Sequence, residues 1–194
     1  MKKYIAEALG TFALSLVVGL SLSGVFPVPT PVLAALTLGL FVYSIGHISV
    51  THINPAVTVG LWSIGKMKSQ EAVYYVLSQM LGGVATLMVL SSLNLSPELI
   101  VGQGGMIGLG EAIGTFFFAF GIASVVFGKT PSQLSGVVVG GSLLLGVALS
   151  ALMGANGVLN PAVALGIGSF GYMYIIGPMI GAVLGMQTYT YLKK

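Results

Sequence analysis

Six long apolar runs, parted by loops too short to build anything of their own, decide most of what this chain can become. They lie at about 4–25, 32–50, 72–93, 106–127, 134–153 and 172–192. Each is close to the roughly 20 residues that an α-helix, rising about 1.5 Å per residue, needs to cross about 30 Å of hydrocarbon. Only 6% of the 194 residues are charged and 56% are hydrophobic, with a mean hydropathy of +1.03. That composition cannot cover a soluble surface with polar groups, so the reading is an all-α integral membrane protein, a single domain over 1–194. There is no cysteine, which excludes disulfides, thiolate chemistry and Cys-based metal sites.

The net charge of +3 comes from seven lysines and no arginine, and their placement argues for topology markers rather than a nucleic-acid surface. Lys2 and Lys3 precede the first run, Lys66 and Lys68 separate the second from the third, Lys129 separates the fourth from the fifth, and Lys193 and Lys194 end the chain. All fall on one side of a six-span topology, while the opposite loops hold Glu98 as their charged residue. The expectation is a multi-pass protein of the cell membrane with both termini cytoplasmic. Tyr4, Trp62, Tyr74, Tyr75, Tyr189 and Tyr191 cluster near the lysines, either as an interfacial belt or as packing residues. A secretory signal peptide over the first residues is disfavoured, because Glu7 interrupts its apolar core and the same segment is echoed later in the chain. Glycines recur every four residues, as in Gly177, Gly181 and Gly185 or Gly110 and Gly114, a spacing that brings membrane helices close together.

The echo is specific. Ala6-Glu7-Ala8-Leu9-Gly10-Thr11-Phe12 matches Gly110-Glu111-Ala112-Ile113-Gly114-Thr115-Phe116, with Glu7 and Glu111 104 residues apart. Asn54-Pro55-Ala56-Val57 matches Asn160-Pro161-Ala162-Val163 at a spacing of 106. Two matches at nearly one spacing indicate duplication, with residues 1–93 as the first repeat and 106–194 as the second. Each repeat has three spans, an odd number, so the second must sit upside down relative to the first.

Two apolar pieces at about 55–64 and 161–170 are too short to span, and each opens with Asn-Pro. Asn caps a helix and Pro suits its first turn, where its missing N–H would have been unpaired, so each piece reads as a re-entrant half-helix. The irregular backbone leading into it, 47–53 and 154–159, is tolerable at membrane depth only where protein or water surrounds it. If the two caps meet at the centre, they aim two helix N-termini and two amide donors at one point. Cations and protons are repelled there, and neutral hydrogen-bonding molecules are not.

With these elements the chain resembles the aquaporin, or major intrinsic protein, family. Gly46-His47-Ile48-Ser49 with His52-Ile53-Asn54-Pro55-Ala56-Val57-Thr58 is similar to that family's first signature, and the Glu opening each repeat fits its pattern too. The resemblance implies six transmembrane helices plus two half-helices in an inverted 3+3 arrangement. It also implies a homotetramer with one pore per subunit, whose partners are the lipid bilayer, water and small neutral solutes. It implies no cofactor and no catalysis.

Intramembrane carboxylates are costly, so Glu7 and Glu111 call for a role. The resemblance implies that they buttress the re-entrant loops; a secondary transporter would use them to relay protons. On the first reading Glu7→Gln leaves folding largely intact. His47 and His52, five apart with no nearby Cys, Asp or Glu, make a poor metal site and read as loop-bracing side chains. The serines and threonines lack a nucleophile elbow or a paired acid and His, which argues against a hydrolase.

One position departs from the family pattern. The second signature of water-selective members reads Asn-Pro-Ala-Arg, and that Arg narrows the outer mouth with three other side chains; here the place is held by Val163. Carrying the other three across by spacing, without gaps, gives Ala34, Ala148 and Gly157 as the rest of the selectivity filter. All four are small and uncharged, so the resemblance implies a mouth wider and less polar than a strict water pore, open to glycerol, urea or metalloid hydroxides such as arsenite.

Overall fold

The computed structural model describes residues 1–24, 26–97, 99 and 101–194. Among them are eight α-helices: α1 (Lys2–Ser23), α2 (Thr30–Ser49), α3 (Pro55–Ser63), α4 (Ser69–Ser92), α5 (Gly105–Val126), α6 (Ser135–Leu152), α7 (Pro161–Gly166) and α8 (Tyr172–Leu192). Six are long and two are short, in the order expected, and the described residues hold no strand. The expectation that rested on Glu98 falls outside the described residues.

Five of the six long helices are long and apolar enough to cross a membrane on length and composition: α1, α2, α4, α5 and α6, the last counted with the preceding 3-10 turn Ser132–Leu134. The sixth, α8, is 21 residues long, about 31 Å at the usual helical rise. Pro178, Gln187, Thr188 and its tyrosines interrupt its apolar run.

Burial is inverted relative to a soluble protein. Leu36, Leu40, Leu81, Val137 and Leu184 are exposed, whereas Glu7, Thr11, Thr58, Gln79, Thr86, Glu111, Thr115 and Ser150 are completely buried. In hydrocarbon an exposed leucine costs nothing, and polar side chains must turn inward to find partners. α1 does this with one face: Glu7, Gly10, Thr11, Leu14, Ser15 and Val18 are buried at three- and four-residue spacing.

Close backbone approach follows the glycine stripes. On α8, a side chain at Gly177, Gly181 or Gly185 would run into the carbonyl of Gly108, Ala112 or Phe116 of α5. Three successive turns of one helix thus lie directly on the backbone of the other. The lysine-rich end is tied together by a Lys3–Glu71 ion pair between α1 and α4, and by Phe127, whose ring carries Lys66 at 4.4 Å and Lys193 at 3.9 Å. Among the tyrosines near this end, Tyr191 is exposed, but Tyr75 is buried: its hydroxyl donates to the Ser49 carbonyl at 2.9 Å and its ring packs on His52. Tyr75 is therefore a packing residue.

Helix α4 passes both short helices in turn. At its start Ser69 receives the Trp62 Nε1 hydrogen bond from α3; further on, Gln79 bonds Thr58 of α3, Gly83 lies on the Ala162 carbonyl of α7, and Thr86 faces Gly166. So α3 runs against α4 and α7 runs with it, and the two short helices point N-terminus to N-terminus. The second is shorter than its sequence suggests, six residues ending at Gly166 rather than reaching 170. The chain leaves the helix there because Gly168 takes a left-handed conformation, φ 76°.

Candidate functional site

Asn54 and Asn160 cap α3 and α7. The Asn54 side-chain oxygen accepts from Ala56 N–H at 2.8 Å, and that of Asn160 accepts from Ala162 and Val163 N–H at 3.1 and 3.3 Å. With each oxygen held by a helix end, each amide nitrogen faces the other short helix. Asn54 Nδ2 donates to the Leu159 carbonyl and Asn160 Nδ2 to the Ile53 carbonyl, both at 2.9 Å. The tips are cross-bonded, and one N–H of each amide is left over. Pro55 and Pro161 occupy the first helical turn, and Ala56 and Ala162 behind them are wholly buried.

The residues before each tip are held in unusual conformations: Ile53 has φ 37° and Leu159 has φ 55°. A branched or bulky side chain at positive φ is strained, and something must hold it there. Glu7 and Glu111 do so. Glu7 accepts Ile53 N–H at 2.7 Å and His52 N–H at 3.0 Å, while Ser49 Oγ and Gln79 Nε2 each donate to it at 2.7 Å. Glu111 accepts Leu159 N–H at 2.7 Å, Val158 N–H at 3.0 Å and Ser150 Oγ at 3.3 Å. Ile53 and Leu159 are thus gripped at both ends, the N–H by a carboxylate and the carbonyl by the opposite asparagine.

His52 is buried in the same network, its Nδ1 3.1 Å from the Thr58 hydroxyl and its ring against Tyr75. His47 is elsewhere. Because α2 continues to Ser49, His47 lies on the exposed outer side of its last turn, with no hydrogen bond among the described residues. It does not brace the loop, which corrects the sequence expectation.

Beside the two asparagines lies a cavity of about 240 Å³, with a second of about 180 Å³ on the lysine-rich side. The first is walled by Leu14, Val18 and Leu22 of α1, Ala34 and Leu38 of α2, Leu143 and Val147 of α6, and by Asn54, Gly157, Asn160 and Val163, among others. The second runs along Ile122, Val125 and Val126 to Val50 and Thr51. Leu38, His52 and Phe118 belong to both. Of the four filter positions carried over by spacing, Ala34, Gly157 and Val163 meet here. Ala148 does not: it is exposed on the outer side of α6, and Val147, one residue earlier, faces the cavity. The slip has a physical origin. Ser150, which donates to Glu111, stands ten residues before Asn160, whereas Ser49, which donates to Glu7, stands five before Asn54. The two loops of this chain thus differ in length, and a spacing counted back from Asn160 through such a loop fixes the helix before it only to within a residue. Gly157 completes the wall with φ 67°, its backbone against the Val147 carbonyl, where a side chain has no room.

Reading from motifs missed Gln79, Phe118 and most of the apolar wall. A signal existed: Leu14, Val18 and Leu22 stand 7, 11 and 15 residues after Glu7, and Phe118, Ile122 and Val126 stand at those distances after Glu111. One helical face, read twice, lines both cavities. Gln79 is the sole side-chain amide in the third apolar run.

Long helices around two capped half-helices, with cavities running beside their tips, define a membrane channel protein. The family model for the major intrinsic proteins matches residues 1–189. The chain belongs to that family, and is accordingly a multi-pass membrane channel for water or small solutes. It is 35% identical to a probable aquaporin AqpM of Archaeoglobus fulgidus, the match covering 82% of this chain and 74% of that one. It is 32% identical to aquaporin NIP1-1 of Arabidopsis thaliana, over 100% of this chain and 74% of that one. The solved aquaglyceroporin of Plasmodium falciparum has the same fold, with a TM-score of 0.63 at 21% identity, covering 98% of this chain and 94% of that one.

Proposed function

We propose that the two cavities form one permeation path past Asn54 and Asn160, conducting water and small uncharged solutes such as glycerol, urea or metalloid hydroxides while excluding ions and protons. The observation that carries this reading is the pair of cross-bonded asparagine amides bordering the larger cavity. Each offers its remaining N–H to a passing molecule, and an amide N–H can only donate. A cation finds no counter-charge at this point, and a chain of waters has its oxygens turned toward both amides. Neutral molecules with a hydroxyl or carbonyl acceptor are the natural passengers.

The filter in this reading is Ala34, Val147, Gly157 and Val163. None carries charge or bulk, which favours solutes larger than water. Glu7 and Glu111 serve as buttresses: neither is among the described lining residues, and their oxygens are already engaged by loop N–H groups. The secondary-transporter alternative needs a carboxylate free to take up protons in the path, and the engagement of both carboxylates by loop N–H groups argues against it. Residues 1–93 and 106–194 act as inverted repeats, each supplying one half-helix and one buttress, in a homotetramer of the cell membrane with cytoplasmic termini.

Stopped-flow swelling and shrinking of proteoliposomes with water, glycerol, urea and a metalloid hydroxide tests the reading. Non-saturating flux that needs no ion gradient is the expected result. Flux that saturates and follows a proton gradient would favour the transporter instead.

A further inference from the structure

We infer that the size limit of this channel lies not at the filter near its outer mouth but at a neck on the lysine-rich side of the asparagine pair, formed by Phe118, His52 and Leu38. The inference rests on the channel reading above. It starts from the one place where the two cavities meet, the three residues common to both walls. All three are buried, as the other lining residues are, so what sets them apart is their place between the two cavities.

The chain carries its own comparison. Phe118 stands seven residues after Glu111 as Leu14 stands seven after Glu7, and His52 stands two before Asn54 as Val158 stands two before Asn160. The matched pair Leu14 and Val158 lines only the larger cavity and belongs to no boundary between the two. Where the matched positions carry Leu and Val there is no boundary; where they carry Phe and His, the two cavities divide. The difference is one phenyl ring and one imidazole, and both are fixed. The His52 backbone is held by Glu7, and its imidazole is held by the Thr58 hydroxyl at Nδ1 and by packing on Tyr75. Phe118 sits on the inward face of α5, one turn beyond Gly114, where α5 is pressed on the backbone of α6 at Gly146. At the outer filter, by contrast, Ala34 and Gly157 leave no side chain long enough to reach across.

The test replaces Phe118 by the residue of its matched position. Reconstituted Phe118→Leu is expected to raise glycerol and urea flux about threefold or more while water flux changes less than about twofold, because widening an apolar neck relieves the larger solute most. Phe118→Trp tests the same point in the opposite direction and is expected to lower glycerol flux further than water flux. If the unaltered protein conducts but neither variant changes the ratio of glycerol to water flux, the neck is refuted and the channel reading stands. If the unaltered protein passes neither water nor solutes, the channel reading falls and the neck with it. Should one variant fail to fold, the ratio measured for the other decides.

Discussion

Val163 lies at the N-terminal end of α7, its N–H on Asn160 and its side chain on the cavity. An arginine there would carry a guanidinium toward Ala34 and Gly157, which have no bulk to hold it back. Val163→Arg is expected to cut glycerol and urea flux about tenfold while water flux falls less than about threefold, measured in proteoliposomes. Equal losses would mean that residue 163 does not line the path. Glu7 has a different fate from the one its sequence suggests. Four donors converge on its two oxygens, so Glu7→Gln turns an NH₂ group toward at least one of them. A buried donor without an acceptor costs about 1–3 kcal/mol, and the variant's thermal unfolding midpoint in detergent is expected to fall by several degrees. The identities of Asn54, Asn160, Glu7 and Glu111 were legible because each is polar within an apolar run and occurs twice. Ala148 was misread, and His47 with it, because helix rotation and loop length decide which side a residue faces, and neither is written in spacing alone.

At the scale of elements, the boundaries of the long helices were legible to within about three residues, since hydropathy and length leave few choices. What the sequence did not give away was the crossing geometry, which depends on where backbones can touch. Gly83 and Gly141 make the contrast. A side chain at Gly83 meets the Ala162 carbonyl, whereas nothing lies within 4 Å of one at Gly141. Gly83→Val is therefore expected to destabilise the fold by about 1–3 kcal/mol or more, as overpacking does, and to lower flux by displacing α7. Gly141→Ala is expected to be tolerated or to stabilise by up to about 1 kcal/mol, since alanine is the better helix former and nothing crowds it there. Thermal unfolding of both variants in detergent checks the pair; equal effects would remove α4 as the support of α7.

For the whole molecule, the inverted arrangement predicts that residues 2 and 193 emerge on the same side. The natural chain has no cysteine, so single-cysteine variants at Lys2 and Lys193 report their side without background. Both are expected to react with a membrane-impermeant maleimide only in inside-out vesicles. Labelling of one from each side would overturn the six-span topology. The class of molecule was legible from composition and the paired motifs together, because only an odd number of spans per repeat satisfies both the lysines and the two half-helices.

Helix α4 touches the tip of α3 at Gln79 and that of α7 at Gly83, a single helical turn apart. That turn joins the crossed asparagine bonds in holding the two tips in register, as a gauge block backs a gap. An inserted or deleted residue between 79 and 83 would rotate one contact by about 100° relative to the other, so length variants tolerated in this chain's surface loops should be lethal to conduction there.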